Sequence, residues 1–192
     1  WGMGFLEALD HAFSTIATGG FSTRNESVAY YGSPSLEMIM VFFMVISSAN
    51  FGIYVGAWKR GFRMIYEDTE FRVYLFIVAL ATLLMTASLV LQQSLSFPES
   101  LREALFQAAS LSSTTGFVSA DFDQWPSFAK FIILLLIIVG GCGGSTAGGL
   151  KVIRLILLFK CFSGILKLHM HPRAIFHMTV GKEQFSRNMV LQ

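Results

Sequence analysis

Two short loops of threonine and glycine carry the residue pattern with the clearest chemistry in this sequence. They contain Thr18, Gly19, Gly20 and Phe21, and Thr114, Thr115, Gly116 and Phe117. Glycine lets a backbone turn its carbonyl groups to one side with no side chain in the way. Such carbonyls can replace the water shell of a cation. We interpret both loops as candidate cation-binding loops, with the two phenylalanines packed behind them.

Each loop follows a short apolar segment that is predicted to be helical. These segments cover residues 4–17 and 98–113. At 1.5 Å per residue they reach roughly 20–24 Å, too short to cross a hydrocarbon core of about 30 Å. A helix that stops at a loop points its partly negative C-terminal end at that loop, which favours a cation there. The alternative is a surface loop in which the glycine only caps the helix.

An internal repeat relates the two loops and the helices before them. When the sequence is shifted by 96 residues, eight of the 17 positions from 5 to 21 meet an identical residue. The matching residues in the first copy are Glu7, Ala8, Leu9, Ala12, Ser14, Thr18, Gly20 and Phe21. The same shift places Gly52 on Gly148. Two unrelated surface loops have no reason to match, so the repeat favours a re-entrant half-helix and loop that occurs twice.

A third glycine-rich segment interrupts the last apolar stretch. It contains Gly140, Gly141, Cys142, Gly143, Gly144, Ser145, Thr146, Ala147, Gly148 and Gly149. Six glycines, at about 1 kcal/mol each against alanine, disfavour a continuous helix. A helix-packing face is one interpretation, since some glycines lie four residues apart. A phosphate-binding loop is disfavoured because Leu150 breaks its motif. We favour a mobile constriction in an ion path.

The remaining candidate residues lie near or after this glycine segment. Two basic residues one helical turn apart act either as anchors at the membrane interface or as inward charges that limit passage: Lys151 and Arg154. Three histidines fit a solvated loop better than a metal site: His169, His171 and His177. Two cysteines lack metal-ligand spacing, which predicts free, buried thiols: Cys142 and Cys161.

Composition and charge distribution indicate an integral membrane protein. Hydrophobic residues make up 54% of the chain and charged residues 14%, against about 25% charged in soluble domains. Apolar stretches at 35–58, 73–91 and 127–159 are each long enough to span a bilayer. Eleven of the fourteen basic residues lie in 59–72 or from 151 onwards, which predicts that these two segments are cytoplasmic.

Other classes of protein receive little support. The net charge of +2 does not favour nucleic-acid binding, and no paired carboxylates or nucleophile–base set indicate an enzyme. A non-conducting membrane scaffold packed on glycine faces stays open. Because the sequence begins at Trp1 and ends as polar residues give way to apolar ones, we expect an internal segment of a longer protein.

Several of these segments resemble the Trk/Ktr/HKT superfamily of potassium transporters, and within it the pore subunits of bacterial Trk systems. The resemblance lies in residues 17–23 and 112–117, in the basic stretch 168–173 and above all in residues 143–154. It covers nearly the whole chain. It implies an all-α integral membrane fold of repeated membrane helix–pore half-helix–loop–membrane helix units around a pseudo-fourfold pore, with one span broken by a glycine-rich loop.

The resemblance also implies a division of the chain and roles for its residues. Residues 1–58 would hold the half-helix, filter loop and second membrane helix of repeat two, and residues 59–72 a cytoplasmic linker. Residues 73–160 would form a complete repeat three with its gating loop at 140–149, and residues 161–192 a cytoplasmic linker towards a further repeat. Potassium would bind backbone oxygens of Thr18, Gly19, Thr114 and Thr115. Gly20 and Gly116 would be two of four filter glycines, and glycine at both favours potassium over sodium.

The same resemblance implies how the protein works and with what. It implies potassium uptake in the bacterial cytoplasmic (inner) membrane by a multi-pass, lipid-embedded homodimer, with no organic cofactor. A cytosolic nucleotide-binding regulatory subunit, TrkA-like, would control the gate. A sodium/potassium cation symporter of the same superfamily is the alternative, and the residues do not separate a channel from ion-coupled transport.

Overall fold

The structure is a computed structural model that describes residues 2–93, 95–170, 178–180 and 183–185. The described part is helical, apart from two three-residue strands, β1 (Met178–Val180) and β2 (Glu183–Phe185), which pair antiparallel. One described helix is long and apolar enough to cross a membrane alone, and one bent pair of helices would make a second span.

The first half of the chain forms a half-helix and a broken helix. Helix α1 (Phe5–Ile16) comes first, and a short 3-10 turn (Ser27–Tyr31) leads to α2 (Pro34–Ser47). Helix α3 (Phe51–Arg60) follows after three residues. The half-helix predicted over 4–17 therefore forms, and Ala17 caps its C-terminal end.

The second half repeats this order behind one long helix. After α4 (Arg63–Glu67), helix α5 (Thr69–Gln93) covers the whole apolar stretch predicted at 73–91. Helix α6 (Phe97–Ser112) is the second half-helix, and Pro98 lies in its first turn, where its missing N–H costs nothing. Helices α7 (Ser127–Ile138) and α8 (Val152–Met170) follow, with no helix over residues 140–149.

Two buried clusters connect these helices. The larger one packs α5 against α6 and α7 and includes the fully buried Tyr74, Met85 and Leu89. The smaller one packs α2 against α6 and includes Met44, Phe106 and Phe117. The smaller cluster therefore joins the two copies of the repeat. Hydrophobic side chains on the outer faces of α2, α5 and α7 remain exposed, as expected where lipid or further helices cover them.

The apolar stretch 35–58 is not the single span that its length predicts. It bends by 85° between α2 and α3. The hydroxyls of Ser47 and Ser48 both donate to the Met44 carbonyl, at 2.9 and 2.8 Å, a contact that competes with regular helix hydrogen bonding. The Asn50 side chain then accepts a hydrogen bond from the Gly52 N–H at 2.8 Å and starts a new helix.

The segment predicted as a linker from residue 161 begins as helix. Helix α8 continues to Met170, because no proline stops it and the single Gly164 is tolerated within a helix. His169 lies in this helix, whereas His171 and His177 fall outside the described residues. Both cysteines are free as predicted, but only Cys142 is also buried as predicted, since Cys161 is partly exposed.

The start of α3 gives a first testable prediction. Asn50→Ala removes the side-chain cap, so the free energy of unfolding should fall by about 1 kcal/mol, measured as a lower thermal unfolding midpoint in detergent. Asn50→Asp keeps an acceptor oxygen and should stay close to the parent. Equal loss in both variants would show that the cap does not stabilise the break.

Candidate functional site

The two predicted cation-binding loops share two equivalent backbone hydrogen bonds. In the first, the N–H of Thr18 donates to the Thr15 carbonyl at 3.2 Å and that of Gly19 to the Ser14 carbonyl at 2.8 Å. In the second, Thr114 donates to Leu111 at 3.0 Å and Thr115 to Ser110 at 2.9 Å. Each donor and each acceptor in the first loop lies 96 residues before its counterpart in the second. We call residues 18–20 and 114–116 the filter turns.

Both filter turns place a threonine and a glycine in the left-handed backbone region. The φ angles are 52° at Thr18 and 56° at Thr114, and 68° at Gly20 and 87° at Gly116. A β-branched residue at positive φ is strained and persists only where its surroundings hold it. Here the hydrogen bonds to the end of each half-helix keep the threonine in this conformation. The glycines adopt the same region without a side-chain penalty.

The filter turns contact each other. A Cβ added at Gly20 would overlap the carbonyl oxygen of Thr115, so the two backbones meet at a distance that only glycine permits. At Gly116 the corresponding space is open. The predicted filter residues of the two repeats are thus brought together, each at the C-terminal end of its half-helix.

The prediction for the two phenylalanines is correct for only one of them. Phe117 is fully buried and stacks on the ring of His11, with ring centroids 5.6 Å apart. Phe21 is 76% exposed, so it does not pack behind its turn among the described residues. The reason is its position: the cluster that buries Phe117 lies between the two repeat copies.

The glycine-rich segment forms a loop whose two ends are joined. The N–H of Gly140 donates to the Leu150 carbonyl, and the N–H of Leu150 donates to the Ile138 carbonyl, both at 3.0 Å. A Cβ at Gly140 would overlap the Gly148 carbonyl oxygen, so glycine is required at this neck. We call residues 140–149 the glycine loop. Gly144 and Gly149 have φ angles of 73° and 69° and bracket its tip.

The tip of the glycine loop contacts both filter turns. The Thr18 hydroxyl lies 3.0 Å from the Thr146 carbonyl oxygen and donates to it or to the Ala17 carbonyl. The Thr114 hydroxyl oxygen accepts a hydrogen bond from the Gly148 N–H at 2.6 Å. The loop therefore lies directly against the filter turns, on the side where the half-helices stop.

The glycine loop also caps the broken helices around it. The Thr146 hydroxyl lies 3.1 Å from the carbonyl oxygen of Ile16 and 3.2 Å from that of Ser47, the last residues of α1 and α2. The N–H of Cys142 donates to the Ser48 carbonyl at 2.9 Å. Carbonyls at helix ends lack partners within their own helix, so the loop satisfies groups that the breaks leave free.

A buried carboxylate holds the far side of the glycine loop. One oxygen of Glu70, at the start of α5, accepts hydrogen bonds from the N–H groups of Gly143 at 2.6 Å and Ile153 at 2.9 Å. Glu70 is 9% exposed. The N–H of Ile153 belongs to the first turn of α8, where a negative group is favoured. Glu70 thus fixes the loop to the helix that follows it.

The two basic residues after the loop differ from each other. The Lys151 ammonium group donates to the carbonyl of Ala147, so it folds back on the loop rather than extending to an interface. Arg154 is exposed. The predicted pair is therefore split: Lys151 supports the tip of the loop, and Arg154 stays outside it.

One acidic residue, Glu7, lies in the first turn of α1, at the end away from the filter turn. The Glu7 carboxylate accepts a hydrogen bond from the Gly4 N–H at 3.1 Å and pairs with Arg24 at 2.6 Å. The backbone hydrogen bond from Gly4, followed by the Arg24 guanidinium, lowers the pKa of Glu7 below its ordinary value. The carboxylate therefore stays ionised at the outer end of the half-helix.

Sequence reasoning missed several residues of this site. Ser14 and Ser110 supply backbone and side-chain partners to their turns, and their identity in the repeat was a usable signal. Glu70 borders a long apolar stretch, but it follows Glu67 and Asp68 closely, so the sequence alone did not single it out. Asn50 carried no comparable signal, because its role depends on a break that the hydrophobicity of 35–58 conceals.

Comparison with known proteins assigns the chain to a family. Residues 2–192 match the family described as TrkH, a cation transport protein. The Trk system potassium uptake protein TrkH of Vibrio parahaemolyticus serotype O3:K6 is 38% identical over 98% of this chain and 40% of that protein. TrkH of Escherichia coli strain K12 is 38% identical over 94% of this chain and 38% of that protein.

A solved structure shares the fold. The crystal structure of the potassium transporter TrkH from Vibrio parahaemolyticus superposes with a TM-score of 0.92 at 38% identity, over 98% of this chain and 41% of that one. The chain thus spans about 40% of the length of the relatives that it matches. The family match, the identity to its relatives and the shared fold all lead to the same assignment, and this chain belongs to the TrkH family of cation transport proteins.

Proposed function

We propose that this chain forms part of a pore for potassium uptake across the bacterial cytoplasmic membrane. The contact between the two filter turns carries the proposal. Two backbone turns of the same conformation meet at the ends of two half-helices, with Gly20 against the Thr115 carbonyl. Backbone oxygens of Thr18, Gly19, Thr114 and Thr115 would replace water around the ion, and the half-helix C-terminal ends would favour its charge.

The glycine loop serves as the gate in this proposal. Its tip lies against both filter turns through Thr146 and Gly148, so an ion leaving the filter inwards would meet it. The loop is held by its neck and by Glu70, while Gly144 and Gly149 provide points about which the tip can turn. A packing face alone would not need a tip that contacts the filter.

The wider assembly follows from family membership rather than from contacts in this chain. We propose two further repeats that complete a pseudo-fourfold pore, a homodimer, and a cytosolic nucleotide-binding subunit that acts on the gate. The division into 1–58, 59–72, 73–160 and 161–192 belongs to the same proposal. The basic residues of 59–72 and of the segment after 151 support a cytoplasmic side for these linkers.

Gly20 allows a direct test of the filter contact. Gly20→Ala should reduce potassium uptake at least about tenfold in cells that lack other uptake systems, because its Cβ would overlap the Thr115 carbonyl and a loss of 1.4 kcal/mol already gives that factor. Gly32→Ala is the matched control: Gly32 also has positive φ, but no atom lies within 4 Å of its Cβ position. Similar loss in both variants would mean that only backbone strain matters.

Gly116 allows a test of ion selectivity. Its Cβ position is open, so Gly116→Ser fits without a clash but constrains the left-handed backbone of the turn, where φ is 87°. We expect the ratio of potassium to sodium uptake to fall by about tenfold, which corresponds to 1.4 kcal/mol. Gly32→Ser should leave the ratio unchanged. An unaltered ratio in a well-expressed Gly116→Ser protein would contradict the filter assignment.

Glu70 allows a test of the gate. Glu70→Ala removes the acceptor of two loop and helix N–H groups, and hydrogen bonds to charged groups are worth about 1.5–3 kcal/mol each. Unregulated potassium flux through the purified protein in liposomes should therefore rise at least about tenfold. Glu67→Ala, which removes an exposed partner of Arg63 nearby, should not change it. Lower flux in a folded Glu70→Ala protein would argue for a packing role.

A further inference from the structure

We propose that cation occupancy and docking of the glycine loop oppose each other, because both use the hydroxyl of Thr114. This inference deepens the proposed pore function and rests on it. It makes the permeating ion itself a signal that favours an open gate. Three observations lead to it: the acceptor role of Thr114, the matched position of Thr18, and the way in which the loop tip is held.

The Thr114 hydroxyl oxygen is already engaged by the loop. The Gly148 N–H points at it from 2.6 Å, and a Cβ at Gly148 would lie 3.4 Å from the same oxygen. A hydroxyl oxygen has two lone pairs, and one proton of its own. A cation bound there would lie beside the partly positive N–H hydrogen. Accepting the hydrogen bond from the Gly148 N–H therefore weakens cation binding at the Thr114 oxygen, and a bound cation weakens that hydrogen bond.

The first filter turn has an equivalent contact with the loop, but there the threonine hydroxyl is the donor and not the acceptor. Thr18 occupies the position equivalent to Thr114, with nearly the same φ, and its hydroxyl lies within donor distance of the Thr146 carbonyl. Two threonines held at strained backbone angles thus direct their hydroxyls to one short stretch, residues 146–148. Strained residues that face a common element mark a site where geometry is imposed by the surroundings.

The loop tip can leave without breaking its neck. The neck hydrogen bonds join Gly140, Leu150 and Ile138. The tip is held separately, by side-chain contacts of Thr18, Thr114 and Thr146, by the Lys151 ammonium group on the Ala147 carbonyl and by the Phe51 N–H on the Gly144 carbonyl. A tip that swings away frees the Thr114 oxygen for the ion and exposes the Gly148 N–H, which then needs water. Ion binding and tip release are therefore linked events with reciprocal effects on each other.

Thiol accessibility of the loop tip tests this linkage in the intact protein. The parent for the test carries Cys142→Ala, Cys161→Ala and Ser145→Cys and is reconstituted in liposomes. Its modification by a small charged thiol reagent is timed in potassium chloride and in N-methyl-D-glucamine chloride of equal ionic strength. The rate should be roughly two- to tenfold higher in potassium, the range set by one neutral hydrogen bond. A variant that keeps Cys161 as its only thiol should show a ratio of one.

The substitutions at Thr114 separate the linkage from general effects of salt. Thr114→Val keeps the side-chain shape and removes the oxygen, so the rate should be high in both solutions with a ratio near one. Thr114→Ser keeps the oxygen and should keep the ratio. A parent ratio of one, or a Thr114→Val protein that responds to potassium as the parent does, would overturn the inference.

A second residue keeps the test decisive if Thr114→Val does not fold. Thr146→Val removes the hydroxyl that lies against Ile16 and Ser47, and it should raise the rate without potassium two- to tenfold. Thr146→Ser should not, and an unchanged rate in Thr146→Val would count against a docked tip. Potassium flux is measured on the same liposomes: flux with a ratio of one overturns this inference alone, whereas absence of selective flux overturns the proposed function as well.

Discussion

Broken helices leave backbone N–H and C=O groups without partners, and at membrane depth such groups must be satisfied within the protein. This chain breaks its helices at the ends of α1 and α6, between α2 and α3, and between α7 and α8. Backbone groups left free at one break are hydrogen-bonded by residues at another. Cys142 donates to the Ser48 carbonyl, Phe51 donates to the Gly144 carbonyl, and Thr146 lies between the ends of α1 and α2.

This shared solution explains why the candidate filter and gate cannot be considered separately. A loop that is needed to cap helix ends also contacts the turns that follow those ends. Glycines make these close approaches possible, because Gly140 in the loop and Gly20 in the first filter turn approach carbonyl oxygens too closely for any side chain. In the proposed pore, a filter built on half-helices would thereby have the gate as its direct neighbour. The cost is a dependence on strained threonines at positive φ.

Much of this arrangement could be predicted from the sequence, and the rest could not for identifiable reasons. The repeat located both half-helices and both filter turns, because eight identities in one window leave little freedom of interpretation. The glycine content predicted the break at 140–149. Hydrophobicity misled at 35–58, where Ser48 and Asn50 end one helix and start another inside an apolar run. The prediction for Phe21 was wrong, and the two alternatives for Lys151 stayed open, because the surroundings of both side chains depend on tertiary contacts that periodicity does not contain.

The bend between α2 and α3 has a counterpart in the second repeat. Shifted by 96 residues, Ser48–Asn50 falls on residues 144–146, inside the gap between α7 and α8. In the first repeat three residues connect the two helices, whereas in the second the glycine loop lies between them. A duplicated unit that already contained such a break could gain a flexible loop by unwinding the helix ends beside it in one copy only, without added residues. The other copy would keep the short joint and give that loop a rigid surface to pack on.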